Sequence, residues 1–119
     1  MILVDTSVWI RHFRSRNADL VTLLDESRVA IHDFVIGEIA CGQLKHREEI
    51  VSLLAALPRI KTLPHEDVLY LINNRKLHGS GIGWVDSHLL ASALDADIRI
   101  WSFDKSLENV AKKLSIHFQ

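Results

Sequence analysis

The chain has 119 residues, 48% hydrophobic and 24% charged, with a formal net charge of −1, which is typical of one globular domain spanning residues 1–119. The near-neutral charge argues against a protein that coats DNA or RNA. The apolar runs are too short to cross a membrane, no signal peptide is recognisable, and one cysteine excludes an internal disulfide, so we expect a cytoplasmic protein with no membrane partner. That cysteine, Cys41, is expected to be a small buried side chain.

Short apolar segments alternate with longer helical patterns, which predicts an α/β domain with a central parallel sheet flanked by helices. About five short strands are predicted, at residues 2–4, 29–32, 60–62, 98–102 and 115–118. About seven helices are predicted, at residues 7–14, 18–26, 33–43, 46–56, 65–77, 84–94 and 105–114. In such sheets ligands bind beyond the carboxyl ends of the strands, so acids that follow a strand are candidate site residues.

Four carboxylates stand at unusual places in this pattern. Asp5 and Asp104 follow predicted strands, whereas Glu38 and Asp86 lie inside apolar helical patterns. Helical periodicity puts Glu38 and Asp86 on core-facing stripes, and no lysine or arginine stands at helical spacing from either. Because burying an unpaired carboxylate is costly, convergence of the four on a divalent metal ion is an economical explanation.

Each acid also has an ordinary structural explanation. Asp5 and Asp104 stand where a helix N-cap is expected, and Thr6 is another candidate cap for the first helix. Glu38 and Asp86 could lie at the exposed edges of their helices. Taken one at a time, these acids do not establish a metal site.

Two further groups of side chains have open interpretations. Three arginines lie on and just after the first predicted helix, where they either form a solvated face or contact RNA phosphates: Arg11, Arg14 and Arg16. Three tryptophans are expected mostly in the core, although the first of them is also a candidate for a protein interface: Trp9, Trp84 and Trp101.

The chain resembles the PIN-domain ribonucleases, and more narrowly the VapC-type toxins of bacterial toxin–antitoxin pairs. The resemblance covers nearly the whole length and rests on four segments in matching order and spacing: Ile2–Ile10, Val35–Ile39, Gly81–Ala93 and Trp101–Lys105. It places the family's acidic quartet on Asp5, Glu38, Asp86 and Asp104, and the family's supporting hydroxyl positions on Ser7 and Ser102. Family members commonly carry threonine where Ser102 stands, a change that keeps the hydroxyl.

The resemblance implies a metal-dependent endoribonuclease that cleaves RNA at a four-carboxylate Mg²⁺ site, with Mn²⁺ as a substitute. Carboxylate oxygens suit these hard cations, which activate water and offset phosphate charge. Asp5 and Asp86 are the first choices for direct ligands, and Asp104 and Glu38 complete the shell or orient water. Ser7 and Ser102 would hold the carboxylates in place.

The resemblance further implies a cognate antitoxin and a homodimer. The antitoxin is expected to lay an apolar segment across the early helices, near Val8, Trp9 and Phe13, and to project a basic side chain toward the acids. Two alternatives are a PIN-like fold that serves RNA processing outside a toxin system, and a non-catalytic module for protein association. The intact set of four acids argues against the second alternative.

Overall fold

The computed structural model describes residues 1–119, and it confirms the α/β class and the seven helices. The strands are β1 (Ile2–Val4), β2 (Val29–Ala30) and β3 (Arg99–Trp101). The helices are α1 (Thr6–Arg14), α2 (Ala18–Asp25), α3 (Asp33–Cys41), α4 (Arg47–Ala55), α5 (His65–Asn74), α6 (Trp84–Ala96) and α7 (Lys105–Lys113).

The sheet is parallel, and β1 lies at its centre between β2 and β3. Leu3 of β1 is aligned with Ala30 on one side and with Ile100 on the other. Since the strands are parallel, all three carboxyl ends lie at one edge of the sheet. Strand β2 lies on one side of β1 and β3 on the other, so the strand order reverses at β1. In α/β sheets, ligands bind at the carboxyl edge beside such a reversal.

The prediction of about five strands was wrong, because the sheet has three. The segments 60–62 and 115–118 are not strands, and the chain near each meets the sheet at one residue only, in two isolated bridges: Ile31↔Arg59 and Ile100↔His117. Prolines flank the first segment at positions 58 and 64, and a proline has no N–H to donate to a ladder. Ile60 and Ile116 are buried, so the apolar patterns there reflect packing rather than strand pairing.

The core is formed by the sheet together with buried side chains from α1, α2, α3, α4, α6 and α7. Helix α6 is buried on all sides from Ser87 to Ala93, and it packs against α5 and β3. Leu89 and Leu90 at its centre are fully buried, and replacing such a leucine with alanine typically costs about 2–5 kcal/mol of stability. The first turn of this firmly held helix carries Asp86.

None of the helices has both the length and the apolar character needed to span a bilayer.

Candidate functional site

Asp5 occupies the centre of the carboxyl edge, directly after β1. Its backbone N–H donates to the carbonyl of Trp101 at 2.9 Å, and its side chain is only 5% exposed. Its Oδ2 accepts hydrogen bonds from the hydroxyls of Ser7 at 2.6 Å and Ser102 at 2.8 Å. Hydrogen bonds to a charged group are worth about 1.5–3 kcal/mol, so the two serines hold this carboxylate in one orientation.

The same two hydroxyls accept hydrogen bonds from the backbone that follows β3. Phe103 N–H donates to Ser7 Oγ at 3.0 Å, and Asp104 N–H donates to Ser102 Oγ at 2.9 Å. Asp104 Oδ1 in turn accepts from Leu107 N–H at 3.0 Å, so this exposed acid is the N-cap of α7. The capping interpretation of Asp104 is therefore confirmed, and its second oxygen remains available.

The other two acids reach this edge from helices. Glu38 projects from α3, and its Oε1 accepts a hydrogen bond from the Thr6 hydroxyl at 2.7 Å. Asp86 is half-buried in the first turn of α6, and its Oδ2 accepts from Gly83 N–H at 3.3 Å. Thr6 follows Asp5 directly, so Glu38 is tied to the start of α1 beside the central acid.

Two expectations about α3 were wrong. Glu38 is exposed rather than core-facing, because the buried stripe of α3 is formed by Val35 and Ile39. Cys41, at the end of the same helix, is exposed rather than buried. Both residues lie beside the buried stripe of Val35 and Ile39, where a small rotation of the helix decides whether a side chain faces the core.

The structure decides between the two candidate caps of α1, and it shows that the expected burial of one tryptophan was wrong. Asp5 is the N-cap of α1, and the Thr6 hydroxyl, interpreted as a candidate cap, instead holds Glu38. Trp9 and Trp101 are buried as expected, but Trp84 is 39% exposed. The hydrogen bond from Thr6 to Glu38 was not predicted, because a threonine near the start of a helix is also typical of an N-cap.

The four carboxylates share one pattern of hydrogen bonding. Each engages one oxygen with protein donors and has a second oxygen that accepts no hydrogen bond from the protein: Asp5 Oδ1, Glu38 Oε2, Asp86 Oδ1 and Asp104 Oδ2. The free oxygens of Asp5 and Asp86 are not sealed in the interior, and the other two acids are exposed. Each acid is thus anchored and still has an accessible acceptor.

Negative charge at the site is not neutralised by the protein. The three salt bridges of the molecule involve none of the four acids. Burial raises the pKa of Asp86, and the negative charges of Asp5, Asp104 and Glu38 raise it further, whereas the Gly83 N–H lowers it. Mutual repulsion of this kind identifies the four acids as one electrostatic group.

The donor set fits a hard divalent cation. The anchored side chains offer only carboxylate oxygens, the ligands preferred by Mg²⁺ and Mn²⁺. No three histidine, cysteine, aspartate or glutamate side chains stand at metal-binding distances from a common point. A metal ion shared by these acids would therefore require their side chains to move closer together.

Two buried histidines, His32 and His88, lie near one another, with ring centroids 6.4 Å apart. His32 is fully buried, and its Nδ1 caps α3 by accepting from Phe34 N–H at 2.9 Å. Burial, with a smaller contribution from neighbouring His88, lowers the pKa of His32 to about 4. His88 packs between the rings of Phe34 and Trp84, and burial lowers its pKa as well.

Comparison with known proteins places this geometry in context. A family model described as PIN domain matches residues 2–113. Ribonuclease VapC32 of Mycobacterium tuberculosis (strain CDC 1551 / Oshkosh) is 46% identical over 109 residues, which are 91% of this chain and 88% of that protein. The protein of the same name from strain ATCC 25618 / H37Rv has the same identity and coverage.

Two solved structures share the fold. VapBC-1 from nontypeable Haemophilus influenzae aligns with a TM-score of 0.71 and 16% identity, covering 100% of this chain and 97% of that chain. FitAB bound to an IR36 DNA fragment aligns with a TM-score of 0.65 and 21% identity, covering 94% and 91% respectively. At these identities the two structures support the architecture alone.

Proposed function

Because this chain belongs to the PIN-domain family and is related to a VapC ribonuclease, we propose that it is a metal-dependent endoribonuclease, the toxin of a toxin–antitoxin pair. The observation that carries this proposal is the shared pattern of the acids, each with one anchored oxygen and one free oxygen. The substrate would be RNA, since the relative with 46% identity is named a ribonuclease. The cofactor would be Mg²⁺, with Mn²⁺ as a substitute.

The four acids would have different roles, according to how firmly each side chain is held. Asp5 is buried and receives two hydroxyl hydrogen bonds, and Asp86 stands on the enclosed helix α6, so these two acids would be the direct ligands. Glu38 and Asp104 are exposed and would complete the shell or orient water. When bound, the ion would offset phosphate charge and make a water molecule a better nucleophile near neutral pH.

The serines would act through Asp5 rather than on the RNA. Both hydroxyls donate to the same oxygen, Oδ2, which leaves Oδ1 without a hydrogen bond from the protein. Each hydroxyl also accepts a hydrogen bond from a backbone N–H of the segment after β3. The two serines thus form a clamp that connects Asp5 to the backbone of Asp104. The two acids would therefore keep their relative placement while substrate binds and leaves.

The proposal is tested by cleavage of a labelled single-stranded RNA with Mg²⁺, with Mn²⁺ and with chelator. Asp5→Asn and Asp86→Asn preserve shape while removing charge, and each should lower the rate at least about 100-fold. Asp25→Asn, at an exposed position on α2, serves as the matched control and should cleave normally. Unchanged cleavage by folded Asp5→Asn protein would refute the assignment. Sequencing RNA 5′ ends after brief induction would then identify the cut sites.

A partner would occupy an apolar groove between α1, α2 and α4. The groove has a volume of about 220 Å³ and is lined mainly by Trp9, Phe13, Leu24, Ile50, Leu53 and Leu57. Leu53 is 64% exposed and lies among the other apolar side chains of this groove, and a contiguous exposed apolar patch is typical of an interaction site. The VapBC-1 and FitAB structures, each named for a pair of components, support an antitoxin as the occupant.

The expected contribution of Val8 to this groove was wrong, because Val8 is fully buried and does not line the groove. An apolar antitoxin segment would lie across Trp9 and Phe13, and an antitoxin arginine or lysine would reach the unneutralised acids. A homodimer remains a prediction, to be measured by the size of the isolated chain in solution. A chain that is harmless on expression and binds no antitoxin would be a PIN nuclease of RNA processing instead.

A further inference from the structure

Arg11 differs from the other arginines whose side chains have defined contacts. Its guanidinium carbon lies 4.0 Å from the centre of the Phe103 ring, a cation–π arrangement. It takes part in none of the three salt bridges and donates no hydrogen bond to the protein. Four other arginines donate to protein oxygens: Arg28, Arg47, Arg59 and Arg99. The N–H groups of Arg11 are therefore directed to solvent.

The ring beneath Arg11 belongs to the acidic site. Phe103 stands between Ser102 and Asp104, and its backbone N–H donates to Ser7 Oγ at 3.0 Å. Ser7 is one turn before Arg11 on α1, so the guanidinium flanks the same edge of the sheet. From the dimensions of the backbone and side chains between them, the Arg11 guanidinium lies on the order of 10 Å from the carboxylates.

The three arginines near α1 have different surroundings. Arg14 borders a depression that residues 42–46 also line. Burial lowers the pKa of His12, and the positive charge of nearby Arg16 lowers it further. Only Arg11 is placed beside the four acids. A solvated face therefore explains Arg14 and Arg16, whereas contact with an RNA phosphate remains open for Arg11.

We infer that Arg11, stacked on Phe103, binds the RNA phosphate adjacent to the one that is cut, an inference that rests on the proposed nuclease function. A guanidinium presents paired N–H donors that match phosphate oxygens, and stacking on a ring restricts its motion before RNA arrives. A metal ion among the acids would neutralise the scissile phosphate, but the neighbouring phosphate of the same strand needs its own cation. Arg11 is an exposed cation without a salt bridge, and the ring on which it is stacked directly precedes Asp104.

The test compares Arg11→Ala with Arg16→Ala, since both remove one positive charge from an exposed position near α1. For a defined single-stranded RNA, Arg11→Ala should raise KM about three- to tenfold and leave kcat nearly unchanged. The negative slope of log(kcat/KM) against log[salt] should become less steep by about 0.7, the value for one lost phosphate contact with a single strand. Arg16→Ala should change both quantities much less.

Two further variants separate stacking from charge. Arg11→Lys keeps the charge without the planar fork, and Phe103→Leu removes the ring while retaining apolar volume. Each should raise KM by an intermediate factor. Binding of the same RNA to the Asp5→Asn protein, with and without Arg11→Ala, measures the contact without cleavage.

The outcomes distinguish this inference from the proposed function. If the wild type cleaves RNA and Arg11→Ala behaves like Arg16→Ala in KM and salt slope, the phosphate contact is refuted and the nuclease stands. If Arg11→Ala leaves RNA kinetics unchanged but weakens co-purification of a protein partner, Arg11 belongs to a protein interface and the inference is overturned. If the wild type neither cleaves nor binds RNA, the proposed function fails, and the inference with it.

Discussion

Ser102 donates a hydrogen bond to Asp5 at 2.8 Å, although 97 positions separate the two residues in the chain. The contact depends on the parallel pairing of β1 with β3, which brings the carboxyl ends of both strands together. Ser7, two residues after Asp5, completes the clamp from the start of α1. The orientation of the central acid is thus a property of the sheet rather than of one segment.

Replacing Ser102 tests this clamp. Ser102→Ala removes a donor to Asp5 and an acceptor for Asp104 N–H, so it should lower the free energy of unfolding by about 1–3 kcal/mol. Ser102→Thr keeps the hydroxyl and should retain most of the stability and activity. Urea denaturation measures the change, with Ser52→Ala, at an exposed position on α4, as the control. A Ser102→Ala protein as stable and active as the wild type would show that Asp5 needs no clamp.

Replacing Asp86 tests the repulsion among the acids. Because the folded-state pKa of Asp86 is raised above 3.8, its ionisation destabilises the fold as pH rises through that folded pKa. Asp86→Asn keeps an acceptor for Gly83 N–H and should leave the Tm in chelator equal to or above that of the wild type. Mn²⁺ should raise the Tm of the wild type more than that of the variant.

Asp95→Asn, at an exposed position near the other end of α6, is the matched control for that experiment. It should respond to Mn²⁺ as the wild type does. A large loss of stability in chelator for Asp86→Asn would instead make Asp86 a structural hydrogen-bond partner.

His32 should make stability depend on pH. Its pKa is about 4 in the folded protein against 6.5 for the free side chain, so the unfolded chain binds the extra proton between these values. Stability from this residue is fully present above pH 6.5 and declines toward pH 4, by up to about 3 kcal/mol. Asn at position 32 keeps an acceptor for Phe34 N–H without titrating, so urea denaturation of His32→Asn should show a shallower pH dependence. An equal slope for both proteins would contradict the assignment.

Leu53 tests the groove. Leu53→Asp places a charge among apolar side chains that a partner would cover, so it should weaken co-purification of the antitoxin at least about tenfold. RNA cleavage should be unchanged, because Leu53 lies on α4, away from the acids. Leu69→Asp, on α5 and 41% exposed, is the control and should retain the partner. Equal retention by both variants would place the partner elsewhere.

The sequence indicated which acids would lie within electrostatic reach of one another, but not how each is held. Asp5 and Asp104 follow apolar strand segments, and adjacency of parallel strands then brings them to one edge. The environment of Glu38 was not predictable, because a position beside the apolar stripe of α3 turns outward or inward with a small rotation. The use of Thr6 on Glu38 also escaped prediction, since pairing a hydroxyl with a residue 32 positions away requires the tertiary structure.

The missing strands have a similar cause. Buried segments around Ile60 and Ile116 have the composition of strands, but composition records burial and not backbone pairing. Each segment approaches the sheet near a single residue, Arg59 or His117, and leaves again. Long-range geometry therefore decided the number of strands, while local pattern decided the order of the elements.

The central claim is that the four acids bind a divalent cation, and anomalous diffraction from crystals soaked in Mn²⁺ tests it most directly. If the acids bind Mn²⁺, an anomalous peak should lie within about 2–2.5 Å of carboxylate oxygens from both Asp5 and Asp86. Asp86→Asn crystals soaked in the same way should show a weaker peak or none. A wild-type crystal without a peak between Asp5 and Asp86 at saturating Mn²⁺, or with its peak elsewhere on the protein, would contradict the account.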